Sequence, residues 1–296
     1  MELRVLEYFL AVAREENISA AAESLHLSQP TLSRQLRDLE NELGHTLFIR
    51  GNRKITLTEE GMILRSRAEE ILGLVKKTTD EITTPNDTLA GDIFIGAGET
   101  DSVRYLAKAM KSLQKNYPLV KFHIQSGDKI TLLEWLDRGI LDFALVFGNF
   151  DTAKYNSIEL DKTDTYGVLM RKDSPLAKKE SIRAEDLYDK PLIVSRQEKT
   201  EFSLENWFSK EKRKLNVVAT YSLLFNGSLM VEEDVGYALC LDKIINTTGK
   251  SNLTFRPFEP EFKAGMSIVW KKYQVHSKPT QKYLNVLLEQ LNEKEE

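Results

Sequence analysis

A stretch near the N-terminus, LHLSQPTLSRQLRDLENELG at positions 25–44, restricts the fold of this chain more than any other feature. Its apolar residues recur at i, i+4, i+7 and i+11, which predicts an amphipathic helix with one buried stripe of Leu32, Leu36, Leu39 and Leu43. The opposite face carries Pro30 together with polar and cationic side chains and no carboxylate, the polar and cationic ones being Ser33, Arg34, Arg37 and Asn41. That face is either a solvated surface that is cationic by chance or a surface that contacts a partner.

The segments around this helix predict a winged helix-turn-helix. Apolar residues at helical spacing over 3–13 predict a first helix, and the alanine-rich segment 20–25 predicts a short second one. Ser28 is a suitable N-cap for the third helix, Pro30 fits its first turn, and Gly44 fits its C-terminal end. The alternating segments TLFIR and KITLT then predict two strands joined by a turn, the wing.

A fourth helix of about 25 residues is predicted from position 59 to 83, with Glu59 and Glu60 at the positive end of its dipole. Its apolar residues follow spacings of 4 and 3, which is a heptad seam. Such a seam either packs on the chain's own core or pairs with a second copy of the helix. We favour dimerisation, with a seam of Leu64, Ala68, Ile71, Val75 and Ile82.

From position 92 onward, strand and helix patterns alternate. DIFIGA, VKFHIQ and LDFALVF are predicted strands with helical segments between them, the order of an open parallel sheet. A second series follows with YGVLM, PLIVS, LNVVAT and GYALCL, and SIVW and a final helix over 277–292 close the chain. Two α/β lobes separated by a cleft are the simplest assembly.

Composition gives weaker limits. The 296 residues are 41% hydrophobic with a net charge of −4, and no apolar run is long enough to span a membrane. We find no signal peptide, and the one cysteine, Cys240, lies in an apolar run that predicts a core position. We therefore expect a cytoplasmic protein. The four histidines are scattered and no nucleophile–base arrangement is evident, so we expect neither an enzyme nor a bound metal or cofactor.

The chain resembles the LysR-type transcriptional regulators over nearly its full length. The specific motifs are SAAAESLHLSQPTLSRQLRDLENELG, LFIR and ITLTEEG. A looser likeness to the effector domain follows with DIFIGA, YPLVKFHI and LDRGILDFALVF and continues with DSPLA, DLYDKPLIV and VGYALCL. The resemblance implies an α+β winged helix-turn-helix DNA-binding domain at 1–58 and a linker and dimerisation helix with hinge at 59–88. It also implies an α/β effector-binding domain at 89–296, shaped like periplasmic solute-binding proteins. Lobe I would cover about 89–163 and 267–296, and lobe II about 164–266.

The resemblance implies three kinds of partner: double-stranded DNA, a small and anionic effector, and further copies of the chain in a dimer or a tetramer of two dimers. RNA polymerase is a further candidate partner. By position, the residues expected to contact bases are Gln29, Pro30, Thr31, Ser33 and Arg34. Arg37, Arg50, Arg53 and Lys54 are expected to lie against phosphates.

The effector-binding residues are expected at the start of the first effector-domain helix, where the family presents hydroxyl groups to an anion. Thr100 and Ser102 occupy those positions, although Glu99 and Asp101 flank them and would oppose an anion. Lys129 either pairs with the effector or is a solvated lysine. Phe147, Phe202 and Asn226 are expected to line the cleft. The acids in EEDVG, 232–236, indicate a cationic or metal-containing effector or, as we favour, a solvated helix end.

Three other functions compete with a ligand-controlled regulator. For an enzyme, Gly96-Ala97-Gly98 follows a strand, but Asp101 stands where a dinucleotide fingerprint needs its third glycine. A solute-binding protein would explain two lobes but not the winged helix-turn-helix. A DNA-binding protein that responds to no ligand stays open at this point, because the residues that predict a pocket are few.

Overall fold

The computed structural model describes residues 1–51, 54–83, 89–196, 207 and 215–292. The chain divides into two compact units, Met1–Pro85 and Asn86–Glu296. Among the described helices, none has both the length and the apolar character needed to cross a membrane.

The N-terminal unit is a winged helix-turn-helix followed by a long helix. Its elements are α1 (Leu3–Glu15), α2 (Ile18–Ser24), α3 (Gln29–Leu43), β1 (Phe48–Arg50), β2 (Ile55–Leu57) and α4 (Glu59–Thr83). α2 begins two residues earlier than predicted, because Asn17 Oδ1 accepts hydrogen bonds from the backbone N–H groups of Ser19 and Ala20 at 2.8 and 3.1 Å. The predicted fold of this region is confirmed.

The caps of α3 are those predicted from its sequence. Ser28 Oγ accepts a hydrogen bond from the Thr31 backbone N–H at 3.3 Å, and Gly44 ends the helix in the left-handed conformation with φ of 73°. The apolar stripe of α3 packs with α1 into one core, in which Leu6, Phe9, Leu32, Leu36 and Leu39 are at most 2% exposed. Leu43 differs from the prediction: it is 38% exposed, since the last turn of α3 extends past this core.

A side chain of α3 holds the wing to the helices through hydrogen bonds with the wing backbone. β1 and β2 pair antiparallel, with Phe48 opposite Leu57. Glu40 Oε1, on α3, accepts hydrogen bonds from the N–H groups of Leu47 and Phe48 at 2.8 and 3.3 Å. The carboxylate thereby fixes the start of β1 against α3.

Within its described residues, the C-terminal unit contains one mixed sheet of nine strands, four α-helices and two short 3-10 helices, Pro175–Lys178 and Ala184–Asp186. The strands and α-helices follow in chain order. They are β3 (Gly91–Ala97), α5 (Val103–Asn116), β4 (Val120–Ser126), α6 (Lys129–Asp137), β5 (Phe143–Phe147), β6 (Tyr155–Arg171), β7 (Leu192–Ser195), β8 (Val217–Tyr221), α7 (Leu224–Glu232), β9 (Tyr237–Leu241), β10 (Leu253–Pro257), β11 (Lys263–Lys271) and α8 (Lys278–Asn292).

The strand order is β4-β3-β5-β11-β6-β9-β7-β8, and β10 pairs with β6. β3 is parallel to β4 and β5, and β7 is parallel to β8 and β9. We call the part built on β3, β4 and β5 lobe I, and the part built on β7, β8 and β9 lobe II. The two-lobed α/β architecture predicted from the sequence is confirmed.

The strands β6 and β11 connect the lobes. β11 pairs antiparallel with β5 of lobe I and with β6, and β6 pairs antiparallel with β9 of lobe II. β6 is 17 residues long, whereas YGVLM alone predicted a strand of five. Its first half was missed because it is rich in polar residues and is partly exposed, so it lacks the apolar run of a buried strand.

Candidate DNA-binding surface and ligand cleft

The outer face of α3 brings together the residues predicted to contact bases. Gln29 and Pro30 are exposed, and Thr31 and Ser33 are half-buried. The Ser28 and Thr31 hydroxyl oxygens lie 2.8 Å apart, and Gln29 Nε2 donates to Ser33 Oγ at 3.0 Å. The side chains are thus held in one ordered row on the first two turns of the helix.

The cations of this unit lie in two different electrostatic settings. Arg34 and Arg37 are exposed, and neither forms an ion pair or side-chain hydrogen bond with any part of the chain that the structure describes. Lys54 instead forms an ion pair with Glu16, with Nζ and Oε2 2.6 Å apart and both side chains about half exposed. Arg50 lies opposite Ile55 in the wing, and Arg53 lies outside the described residues. Among the cations of this surface whose side chains the structure describes, Arg34 and Arg37 therefore have guanidinium groups whose charge is not paired with a carboxylate and which can donate hydrogen bonds to a partner.

The predicted seam on α4 is divided between two environments. Ala68 is fully buried in the core of its own unit, and Leu64 and Ile71 pack against that core. Ala68 therefore packs within its own unit, and Leu64 and Ile71 are partly buried against the same core, to which α1 also belongs. Pairing of α4 with a second copy stays a prediction. Val75 and Ile82 are 36% and 79% exposed.

A small cavity lies between the two lobes of the C-terminal unit and has a volume of about 70 Å³. It sits at the carboxyl ends of the parallel strands, which is where ligands bind in open α/β sheets. Of the predicted residues, Thr100, Lys129 and Phe147 line it. Ser102 is buried and Asn226 is exposed, and neither is part of the lining; Phe202 lies outside the described residues. Lining residues that we did not predict include Glu99, Tyr166, Ser195, Tyr221, Ser222 and Cys240.

The Thr100 hydroxyl forms hydrogen bonds within the protein both as donor and as acceptor. It donates a hydrogen bond to Asp164 of β6, and its oxygen accepts one from the Ser102 backbone N–H at 3.0 Å. Asp164 is only 3% exposed; burial, reinforced by the nearby charge of Asp242, raises its pKa. Thr100 therefore positions the start of α5 against β6 and has no hydroxyl proton left for an anion.

Lys129 begins α6 and is half-buried at the wall of the cavity. Its Nζ donates one hydrogen bond to the carbonyl oxygen of Asn149 at 2.8 Å. An ammonium group has three donors, so the Asn149 contact fixes the group in place and leaves capacity for a ligand.

Glu99 connects the two lobes. Its Oε2 accepts a hydrogen bond from the backbone N–H of Leu224, the first residue of α7 in lobe II. The N-cap residue of α7 is Leu223, whose side chain cannot accept a hydrogen bond. The carboxylate from lobe I thus supplies the acceptor that the sequence of α7 lacks, and its charge is favourable at the positive end of the helix dipole.

From the sequence, Glu99 is expected only to oppose an anion, and its contact with α7 is not predicted. Ser195, Tyr221 and Ser222 could have been identified by their position, because they follow or end the parallel strands β7 and β8. The acids of EEDVG end α7, where the Glu232 carbonyl oxygen accepts a hydrogen bond from Arg171 at 2.9 Å. Among the described residues, no group of three or more histidine, cysteine, aspartate or glutamate side chains is placed to hold a metal ion.

Two family models match the chain. Residues 3–62 match the bacterial regulatory helix-turn-helix protein, lysR family, and residues 86–292 match the LysR substrate binding domain.

Two curated relatives illustrate the likeness. The chain is 38% identical over 146 residues to the HTH-type transcriptional regulator BsdA of Bacillus subtilis, which covers 49% of this chain and 50% of that protein. It is 32% identical over 195 residues to the DNA-binding transcriptional dual regulator OxyR of Escherichia coli, and this match covers 66% of this chain and 63% of that protein. The matched segments thus span between half and just under two-thirds of these relatives.

Solved structures share the fold at lower identity. CbnR, a LysR family transcriptional regulator, superposes with a TM-score of 0.74 at 17% identity, covering 98% of this chain and 99% of that one. Full-length CbnR complexed with target DNA gives a TM-score of 0.73 at 18% identity with the same coverage. With both family models matched in order, the chain belongs to the LysR family of bacterial helix-turn-helix transcriptional regulators.

Proposed function

We propose that this chain is a sequence-specific DNA-binding regulator of transcription whose C-terminal unit binds a small-molecule effector. Binding of the effector alters DNA binding or bending, and the chain catalyses no reaction. The exposed guanidinium groups of Arg34 and Arg37, which pair with no side chain among the described residues, and the nearby Gln29–Ser33 pair are the observation that carries this proposal. The relatives support it, since OxyR of Escherichia coli is a DNA-binding transcriptional regulator and CbnR was solved with its target DNA.

The first turns of α3 enter the major groove in this proposal. Glutamine can pair with adenine through two hydrogen bonds and arginine with guanine in the same way, while the Pro30 and Thr31 side chains suit a thymine methyl group. Base contacts come from Gln29, Pro30, Thr31, Ser33 and Arg34. Phosphate contacts, which hold the protein in register but carry no sequence information, come from Arg37, Arg50, Arg53 and Lys54.

Two copies of the chain present two such helices to successive major grooves, about 34–36 Å apart. The proposed dimer contact is the exposed apolar part of α4, which includes Ile63, Leu74, Val75 and Ile82. Two dimers form a tetramer. The regulator works in the cytoplasm, beside its DNA, where RNA polymerase is a candidate partner.

The effector binds in the cavity between the lobes, with its anionic group on Lys129. Because β6 and β11 connect the lobes, a ligand held by both lobes favours one relative orientation of them. That orientation sets the spacing of the DNA-binding units in the assembly.

The experiment compares Arg34→Ala, Lys54→Ala and the wild type on DNA. The protein first selects a fragment from genomic DNA, and fluorescence anisotropy then measures affinity for that fragment and for a scrambled one. Arg34→Ala is expected to cost about 1–3 kcal/mol on the selected fragment and to reduce its advantage over the scrambled one. Lys54→Ala is expected to lower the affinity for both fragments by the same factor. Arg14→Ala, which removes an exposed cation paired with Glu15 on α1, is the matched control.

If Arg34→Ala likewise lowers the affinities for both fragments by one factor, the division into base and phosphate contacts is wrong. If the wild type does not distinguish the fragments at all, sequence-specific binding is wrong.

A further inference from the structure

The cavity between the lobes carries two opposite charges, each fixed by one hydrogen bond. Glu99 accepts from the Leu224 N–H, and Lys129 donates to the Asn149 carbonyl oxygen at 2.8 Å. Both side chains line the cavity and both are half-buried. Each has capacity to spare, because a carboxylate has a second oxygen and an ammonium group has two further donors. Neither forms an ion pair with any side chain among the described residues.

The acidic side of the cavity is not neutralised by its neighbours. Thr100 donates its hydroxyl proton to the buried Asp164, and it has none for a ligand. Lys243 pairs with Asp242 at 2.8 Å, and Arg104 pairs with Asp101 at 2.5 Å. Lys243 and Arg104 are therefore already paired with other acids, and within the described part of the chain the charge of Glu99 remains for a ligand.

A ligand with a single charge fits this arrangement poorly. An anion bound to Lys129 is repelled by Glu99, and a cation bound to Glu99 is repelled by Lys129. A ligand that carries both an ammonium and a carboxylate group satisfies the two residues together and leaves no charge unpaired in the cleft.

The size and walls of the cavity limit the rest of the ligand. One bound water occupies about 10–15 Å³ on the same scale, so about 70 Å³ holds about five to seven heavy atoms. Leu132, Leu145 and Met266 form an apolar wall, and Ser222 offers a hydroxyl group. A short, uncharged side chain fits these surroundings.

We propose that the effector is a small zwitterion, an α-amino acid with a short uncharged side chain, whose carboxylate pairs with Lys129 and whose ammonium pairs with Glu99. This inference rests on the proposed function, because it assigns the effector class of the same regulator. The sequence alone predicts that Glu99 repels an anionic effector. In this assignment Glu99 instead pairs with the ammonium group of the ligand.

Isothermal titration calorimetry on the full chain tests the assignment. The probes are glycine, L-alanine and L-serine, each beside the acid that lacks its amino group (acetate, propionate, 3-hydroxypropionate) and the amine that lacks its carboxylate (methylamine, ethylamine, ethanolamine). At least one amino acid is expected to bind at least tenfold more tightly than both of its counterparts.

Two variants then remove one charge each. Glu99→Gln keeps an oxygen that can accept from the Leu224 N–H, and Lys129→Met keeps an unbranched side chain of similar length. Each is expected to weaken binding of that amino acid at least tenfold. Glu180→Gln and Lys121→Met, exposed residues outside the cavity lining, are the matched controls and should bind as the wild type does.

The assignment is overturned if no amino acid of the set binds at least tenfold more tightly than both of its counterparts, or if Glu99→Gln or Lys129→Met binds that amino acid as tightly as the wild type does. DNA binding by the same preparation separates this failure from failure of the proposed function. If an acid alone changes DNA affinity, the regulator stands and the zwitterion assignment falls. If the wild type does not bind DNA specifically, the proposed function itself falls.

Discussion

The contact between Glu99 and α7 gives a stability prediction that depends on one hydrogen bond. In Glu99→Ala the backbone N–H of Leu224 loses its acceptor, and Leu223 cannot replace it. Loss of an N-cap acceptor costs about 0.5–2 kcal/mol, and loss of a negative charge at the positive end of the helix costs about 0.3–1 kcal/mol. Glu99 is half-buried and water can partly replace the carboxylate, so we expect about 1–2 kcal/mol in total.

That free energy corresponds to a lowering of Tm by about 2–8 °C, because 1 kcal/mol shifts the Tm of a unit of this size by about 2–4 °C. Tryptophan fluorescence measures it in the intact chain. All three tryptophans, Trp135, Trp207 and Trp270, belong to the C-terminal unit, so the signal reports unfolding of that unit alone.

Glu99→Gln separates the hydrogen bond from the charge. It keeps an acceptor oxygen and should lose less stability than Glu99→Ala. Glu180→Ala, at an exposed acid on the same unit, is the control for removing a carboxylate and should change Tm little. The reasoning is refuted if Glu99→Ala melts at the same temperature as Glu180→Ala.

Three further changes are predicted from the described contacts. Leu36→Ala, at a side chain 1% exposed, should destabilise the N-terminal unit by about 2–5 kcal/mol in chemical denaturation followed by circular dichroism, whereas a cost below 1 kcal/mol would contradict its core position. Glu40→Ala removes the acceptor of the Leu47 and Phe48 N–H groups, so amide hydrogen exchange should become faster at these two residues and not in α1. Unchanged exchange at both residues would contradict the role of Glu40 in holding the start of β1. Asp164 has a raised pKa in the folded state, so its contribution to stability is present below its ordinary value of 3.8 and is lost as pH rises through the raised pKa. The Tm of Asp164→Asn relative to the wild type should therefore increase as pH rises over that window, and a constant difference would be inconsistent with the raised pKa.

The N-terminal fold could be predicted from the sequence because its signals are local. The leucine stripe of α3 has a helical period, and Ser28 and Gly44 lie at the two ends with the expected conformations. Strand and helix periods likewise predicted the two lobes. The first half of β6 was missed because a partly exposed, polar strand has no distinctive period.

The roles of individual residues depended on contacts between distant parts of the chain. A heptad seam has the same sequence pattern whether it packs on α1 or on a second copy, so Ala68 was assigned to an interface although it is buried in its own unit. Glu99 contacts a backbone N–H 125 residues away, and no local pattern predicts which helix will begin opposite it. Where the sequence left Lys129 as either a ligand contact or a solvated residue, the structure places it at the cavity wall.

Sequence recognition by the outer face of α3 is tested most directly by sequencing the genomic DNA fragments that the full chain binds, for the wild type and for Arg34→Ala side by side. The wild type should enrich fragments that share a motif with two half-sites about one helical turn, 10–10.5 base pairs, or a multiple of it apart. Arg34→Ala should lose that enrichment while it folds normally. Equal enrichment of the same motif by both proteins, or no shared motif for the wild type, would contradict recognition of DNA by this helix.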